Sequence, residues 1–290
     1  MKVWGWMLPI ACGLCAPEAS AALIDDVGVE LSYDDNLTRA ELTRDIKGDS
    51  ALAVTASAGP RFQLTGYDSV ALTATVAVTK FRHYDGLDNA SPGLALTYRR
   101  KLGLGPYVPQ LALSGSATRL EYRDGLRDGW LYAAEVEASK RLSERWGVRA
   151  TFRSERRDAD DVPERVVPFI SADVFDLRSR SVGIHADFAY TPRYVFSAGF
   201  TLHRGDIVST TQRNRPIFLA SSAIAPDRVF GDNTFAYTMQ ARTGALSVGV
   251  SRELGPQASL SLGYEHRDSR ADGGIDYRSN IVRATYLHDF

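Results

Sequence analysis

Four charged residues with paired spacing form the most chemically suggestive set in this sequence. Glu135 and Glu137 lie two positions apart, and Arg149 and Arg153 lie four positions apart a short turn later. In neighbouring β-strands both pairs would project from one face, where each guanidinium can pair with a carboxylate through charge-assisted hydrogen bonds. Beside a water-filled space these charges would form a pore constriction; fully paired, they would close the interior. Both alternatives are open.

The histidines and serines do not have catalytic spacing. The chain contains neither the His-x-Ser pair of outer-membrane lipid hydrolases nor the G-x-S-x-G nucleophile motif. His185 and Asp187 share a strand face without a third partner, and His266 lies near Ser269 without an acyl-transfer constellation. We therefore expect no enzyme and keep lipid hydrolysis as a distant alternative. The five histidines are His83, His185, His203, His266 and His288.

Charge and composition exclude other classes. With 34 basic and 35 acidic residues, the chain lacks the basic excess of a nucleic-acid binder. Acidic clusters at 25–26, 34–35 and 158–161 lack the glycine-containing loop of an EF-hand, so we expect a solvated or lipopolysaccharide-bridging surface and no metal site. No cofactor motif appears. The mean hydropathy of -0.20 gives no sign of a transmembrane helix.

A period of two runs through most of the chain and predicts β-strands. Apolar residues occupy one face, and Ser, Thr or charged residues occupy the other. Near Gly244 the phase slips by one residue, which predicts a β-bulge in one long strand. We expect the polar face to include Glu121, Arg123 and Arg242 as well. The predicted strands cover 27–34, 52–58, 70–79, 94–99, 111–118, 130–139, 146–153, 182–190, 194–202, 235–250, 260–267 and 282–286.

The connections alternate between short turns and longer, more charged loops, as in outer-membrane barrels. Aromatic residues collect toward strand ends, as at Trp130 and Trp146, which is typical of an interfacial girdle. The pattern predicts an all-β fold, a single transmembrane antiparallel β-barrel of about 12 strands over residues 23–290, in preference to a soluble β-sandwich. Short turns are predicted near Gly66, Gly103, Ser143, Pro192 and Gly255, and long loops at 38–50, 85–90, 124–128, 158–176, 205–231 and 269–275.

The first 22 residues differ from the rest and predict a cleaved signal peptide. A lysine at position 2 precedes an almost entirely apolar stretch, and Ala19 and Ala21 form an A-x-A site. We expect cleavage after Ala21 or Ala22. Both cysteines of the chain lie in this segment, and neither follows the residues of a lipobox.

The chain ends with apolar residues at alternating positions, Val282, Ala284 and Tyr286, and with Phe290. This ending resembles the C-terminal signal of bacterial outer-membrane proteins, which the barrel-assembly machinery reads. His288 departs from the pattern, because an aromatic or apolar residue is usual there. The resemblance implies a location in the outer membrane of a Gram-negative bacterium.

The first strand carries a Tyr-x-Asp-Asn stretch at Tyr33, Asp35 and Asn36. It resembles the opening strand of barrels associated with exopolysaccharide operons and of the barrel part of surface lipoprotein assembly modifiers. The chain lacks the helical-repeat domain of those modifiers. The resemblance implies a link to surface polysaccharide.

These features together predict a porin-like protein of the cell envelope, set among outer-membrane lipid and lipopolysaccharide. We expect a small pore or an export-associated barrel, with a small solute or a polysaccharide as its cargo. The alternative is a non-conducting structural or adhesive barrel that acts through its extracellular loops.

Overall fold

The computed structural model of the chain describes residues 24–161, 163 and 165–290. The predicted signal peptide, with Ala19, Ala21 and Ala22, lies outside the described residues. Strands make up most of the described chain, as alternating side chains predict. The strands of the wall are β1 (Asp26–Asp34), β2 (Asp49–Ala58), β3 (Asp68–Phe81), β4 (Asn89–Lys101), β5 (Gln110–Tyr122), β6 (Gly129–Arg141), β7 (Trp146–Ala159), β8 (Leu177–Thr191), β9 (Tyr194–Gln212), β10 (Thr234–Gly255), β11 (Ala258–Ala271) and β12 (Ile275–Asp289).

These strands close into a barrel. Each pairs antiparallel with its neighbours in the sequence, and β1 also pairs with β12 along a seam from Asp26–Asp289 to Asp34–Ile281. A short strand, Arg61–Gln63, continues β2 along β3 beyond Pro60, which has no N–H for the ladder. The predicted twelve-stranded antiparallel barrel is confirmed, and closure leaves no open sheet edge.

The outward face of the barrel is an apolar band. Leu94, Ile184 and Leu202 are each at least half exposed, and many similar side chains surround them. Such a belt is unfavourable in water, whereas lipid chains cover it, so the barrel spans a membrane. Among the described residues, no helix is long and apolar enough to cross a membrane.

The longest connections lie at one end, as predicted, but the alternation is not strict, because the turn 102–109 is longer than the loops 82–88 and 123–128. The three longest, 35–48, 160–176 and 213–233, all lie at one end, which is the extracellular end in outer-membrane barrels. The last predicted long loop is shorter than expected, because β11 and β12 continue until only 272–274 separate them. The turns at the periplasmic end are 64–67, 102–109, 142–145, 192–193 and 256–257.

Strand β10 has its one register shift between Glu253 and Gly255, so the bulge predicted at Gly244 is wrong. Gly244 pairs in regular register with both neighbouring strands. The apolar alternation in the sequence changes phase near Gly244 because the inward face of β10 lies in two different environments. Within the membrane it carries small residues such as Ser247, and near the extracellular end it carries Tyr237 and Met239 beneath folded loops.

The extracellular loops fold over the barrel mouth as a packed cap. Helix α1 (Arg215–Ala220) and a short strand (Ala223–Pro226) pack on the inward side chains of Met239 and Tyr277. A second apolar cluster joins this strand to the loop 160–176. The cap also contains single-turn helices at Asp85–Leu87, Arg228–Phe230 and Asp272–Gly274.

Candidate functional site

The inward side chains of β6 and β7 form an ion-pair ladder, the β6–β7 ladder, which consists of Glu135, Glu137, Arg149, Arg153 and Glu155. Arg153 lies 3.2 Å from Glu135 on the neighbouring strand and 2.8 Å from Glu155 on its own strand. Arg149 lies 3.9 Å from Glu137, a looser contact. The structure therefore brings the four charged residues singled out in the sequence to one face and adds Glu155 to them.

A second ladder, the β11–β12 ladder, consists of Glu265, Arg267, Arg283 and Glu30 from β1. Arg283 lies 3.2 Å from Glu265 and 4.0 Å from Glu30. Arg267 donates a hydrogen bond to Glu265, and Thr285 donates one to Glu30 at 3.2 Å. Every charge in this ladder has an opposite partner, so the ladder is a neutral unit that ties three strands together.

The two ladders lie on opposite sides of the lumen. Going round the barrel, β8, β9 and β10 separate β7 from β11, and β2 to β5 separate β1 from β6. The inward positions of these intervening strands are mainly Ala, Gly, Ser and Thr, which occupy little volume. Side chains fill a barrel of about eight strands, and roughly 16–18 strands leave an open aqueous channel. Twelve strands with small lining residues leave room for a narrow polar passage.

One positively charged side chain reaches the lumen from a loop and not from a strand. Arg39 belongs to the loop 35–48 and lines a cavity of about 330 Å³ together with inward residues of β7, β9 and β11. Its φ of 49° is the only positive value at a non-glycine residue in the part of the chain that the structure describes. Such a conformation costs of order 1 kcal/mol or more, so surrounding contacts must hold it.

Asn36 supplies those contacts. Its buried side chain accepts a hydrogen bond from the Ala40 N–H and donates one to the Ala40 carbonyl, both at 2.9 Å. The same amide donates to the carbonyl of Arg278 on β12 at 2.8 Å, which ties the turn to the wall. Sequence reasoning singled out Asn36 but missed Arg39, because no periodic pattern shows that a loop folds inward. The only available signal was the Asp-Asn pair, which favours a turn just before Arg39.

The cavity beside Arg39 has more positive than negative charge. Arg39, Arg157 and Arg267 line it. Among its acidic lining residues, Glu155 points inward, whereas the carboxylate of Asp206 accepts a hydrogen bond from Gln240 on the outer face. Charges in a narrow space between low-dielectric walls act strongly on passing ions. An excess of this sign attracts anions and repels cations.

The cap above this cavity is fixed by a buried ion pair. Arg127 lies 2.6 Å from Asp227, whose side chain is fully buried, and it also pairs with Asp124. Thr210 of β9 donates to Asp227 at 2.8 Å. Burial raises the pKa of Asp124 above its ordinary value, and the positive charge of Arg127 only partly opposes this. The cap is therefore attached to the wall by polar as well as apolar contacts.

The histidine candidates do not assemble into a catalytic site. Nδ1 of His266 lies 2.9 Å from the Asn280 side-chain oxygen, whereas Ser269 lies on the opposite, lumenal face with its hydroxyl 2.7 Å from that of Thr243. Within the described ranges, no group of three His, Cys, Asp or Glu residues could hold a metal ion. The charged ladders and Arg39 face the lumen, where they can contact a ligand.

Alternate side chains at the end of β12 face the lipid. Val282, Ala284 and Tyr286 alternate outward, and Val282 is 51% exposed. Phe290 is 65% exposed, and its ring meets that of His288 edge-on at 4.7 Å between centroids. These side chains are thus accessible from outside the barrel.

No protein-family model matches this chain, and no curated protein is significantly similar to it. Among solved structures, an outer-membrane channel from Pseudomonas putida F1 aligns with a TM-score of 0.58 and 12% identity over 95% of this chain and 99% of that chain. The chain has the fold of a bacterial outer-membrane barrel. The NanC porin also aligns, with a TM-score of 0.49 and 8% identity over 91% of this chain and 99% of its own.

Proposed function

We propose that the protein is a narrow outer-membrane channel for small hydrophilic solutes and that it favours anions. One observation carries the proposal: a loop holds Arg39 in a left-handed backbone conformation beside a polar lumenal cavity. The β11–β12 ladder already pairs its own charges, so it does not need Arg39 as a partner. A pore gains selectivity from it, since a fixed charge at a constriction discriminates between ions.

The lining supports a solute with polar groups and negative charge. Small hydroxyl-bearing side chains offer hydrogen bonds along most of the wall, and the guanidinium groups of Arg39, Arg157 and Arg267 offer charge-assisted ones. An acidic sugar or a short acidic oligosaccharide has this chemistry. The resemblance at Tyr33, Asp35 and Asn36 supports the same direction, because it implies a link to surface polysaccharide.

The route to the membrane is part of the proposal. Residues 1–22 direct export and are removed after Ala21 or Ala22, and the barrel-assembly machinery recognises Phe290 with Tyr286, Ala284 and Val282. The outward exposure of these C-terminal side chains supports recognition before lipid covers them. The proposed passage involves no catalytic step.

Planar-bilayer recording tests the channel. Purified, heat-modifiable protein should give small, reproducible conductance steps and an anion-selective reversal potential in a KCl gradient. Arg39→Ala should reduce the anion preference roughly threefold, because one charge at about 6 Å in water is worth about 0.7 kcal/mol. The same variant should enlarge the steps, since it removes a bulky side chain from the lumen.

Arg44→Ala is the matched control. Arg44 lies in the same loop, 59% exposed and 3.4 Å from Asp45, and it does not line the cavity with Arg39. It should conduct like the unaltered protein. Silent bilayers with well-folded protein would refute the channel and favour the loop-mediated structural role. Equal selectivity in both variants would refute the role of Arg39.

A further inference from the structure

Four arginines on adjacent strands lie in direct register near the extracellular end. Arg180 of β8 pairs with Arg204 of β9, Arg204 pairs with Arg242 of β10, and Arg242 pairs with Arg270 of β11. All four side chains are exposed. We call this set the arginine row.

The arginine row faces the membrane side of the wall. Arg180 is two residues from the lipid-facing Val182, and Arg204 is two residues from the lipid-facing Leu202, so each shares the outward face with its neighbour. Arg242 is four residues from Leu246, and the ladder is regular between them, so Arg242 also points outward. The sequence-based expectation that Arg242 faces the lumen is therefore wrong, because it relied on the bulge.

The row lacks counter-charges of its own. Among the described residues, no carboxylate lies within 4.0 Å of Arg180, Arg204 or Arg242, and Arg270 has only Asp276 at 4.0 Å. The nearby Asp206 accepts hydrogen bonds from the backbone N–H of Arg178 and from Gln240. Like charges directly opposite each other destabilise a sheet unless something compensates them. An external anion would do so.

The arginine row is inclined to the membrane plane, so its members lie at different heights above the apolar band. Adjacent strands lie about 4.8 Å apart and tilt by about 40°, so three steps along the row change its height by roughly 9 Å. The sequence agrees, because Arg180 is two residues from the lipid-facing Val182 whereas Arg270 is six residues from the lipid-facing Tyr264. The row thus offers cations at several depths above the lipid chains. A ligand with anionic groups at more than one depth fits it better than a single headgroup phosphate.

We propose that the arginine row binds the phosphate groups of a phosphorylated glycolipid of the outer leaflet, lipopolysaccharide. Guanidinium groups bind phosphate oxygens in a bidentate manner. The acyl chains of the same lipid would cover the neighbouring Val182, Leu202 and Leu246. The site lies outside the lumen and is independent of the proposed channel.

The test measures binding of purified lipopolysaccharide to the full-length folded barrel in a neutral detergent. Binding should weaken steeply with added salt. The double variant Arg204→Gln/Arg242→Gln should bind at least tenfold more weakly. The double variant Arg145→Gln/Arg193→Gln removes the same charge from exposed turns at the periplasmic end and should bind like the unaltered protein.

Two further arms use the unaltered protein and so do not depend on a variant that folds. Enzymatically dephosphorylated lipopolysaccharide should bind as weakly as the row variant, and millimolar inorganic phosphate should not displace the intact lipid. Equal binding of the dephosphorylated lipid, or displacement by inorganic phosphate, would overturn the assignment. Unchanged single-channel conductance in the row variant is expected, so failure here and failure of the channel proposal are distinguishable.

Discussion

The two ion-pair ladders use the same residue types on opposite walls, yet they differ in balance. The β6–β7 ladder has three carboxylates and two guanidinium groups, whereas the β11–β12 ladder has two of each. The side chain of Glu265 is 17% exposed and that of Glu135 is 26% exposed, so the balanced ladder is also the drier one. Paired charges on a strand face thus stabilise one wall and leave a net charge on the other.

The excess carboxylate of the β6–β7 ladder lies close to the guanidinium groups that loop 35–48 and the strands supply. Glu155 lines the same cavity as Arg39, Arg157 and Arg267. The electrostatic potential in the lumen thus has two contributions of opposite sign. The β6–β7 ladder adds negative charge, and the arginines around the Arg39 cavity add positive charge. Removing charges from one ladder at a time should show which of these dominates.

Arg149→Ala/Arg153→Ala should have the largest effect on ion selectivity. It leaves Glu135, Glu137 and Glu155 without the partners they now have across 2.8–3.9 Å. Two charges worth about 0.7 kcal/mol each in water should shift the relative permeability roughly tenfold toward cations. The reversal potential in a KCl gradient measures this shift.

A matched double variant on the outside of the wall controls for the loss of charge alone. Arg178→Ala/Arg180→Ala removes two guanidinium groups from outward positions of β8. Its reversal potential should stay close to that of the unaltered protein. If both double variants shift equally, the selectivity does not arise in the lumen, and the contrast between the ladders loses its functional meaning.

The sequence predicted the ladders' strands and one of the two ladders, because side chains that alternate along a strand must share a face. It could not predict that Arg39 lies in the lumen, because the path of the loop 35–48 depends on long-range contacts such as that of Asn36 with Arg278. It also misplaced two wall residues. Glu121 shares the outward face of β5 with Leu113. Arg242 was misplaced because of long-range contacts as well. Tyr237 and Met239 are inward and apolar only because folded loops cover them, and from the sequence alone this looks like a slipped strand.

Arg283→Ala should have an intermediate effect and sharpen the same contrast. Glu265 loses the contact at 3.2 Å but keeps the one with Arg267, and Glu30 loses its contact at 4.0 Å. One uncompensated charge at a distance of about 6 Å in water predicts a shift of roughly threefold toward cations. The measurement is again the reversal potential, and a shift larger than that of the Arg149/Arg153 double variant would contradict the view that the β11–β12 ladder is mainly structural.

Glu155→Gln should have a smaller effect than the arginine variants, and its sign should be opposite. The substitution keeps the size of the side chain and removes one carboxylate from the cavity that Arg39 lines. Arg153 keeps its partner Glu135 at 3.2 Å, so the ladder should stay assembled and folding should be unaffected. The anion preference should therefore rise by less than about threefold, because part of the released charge of Arg153 remains screened by that partner.

Reversal potentials of Glu155→Gln and Glu137→Gln distinguish position from charge: Glu137 lies outside this cavity, so its substitution should change selectivity less. A larger change from Glu137 would place the selective constriction nearer the periplasmic end than Arg39.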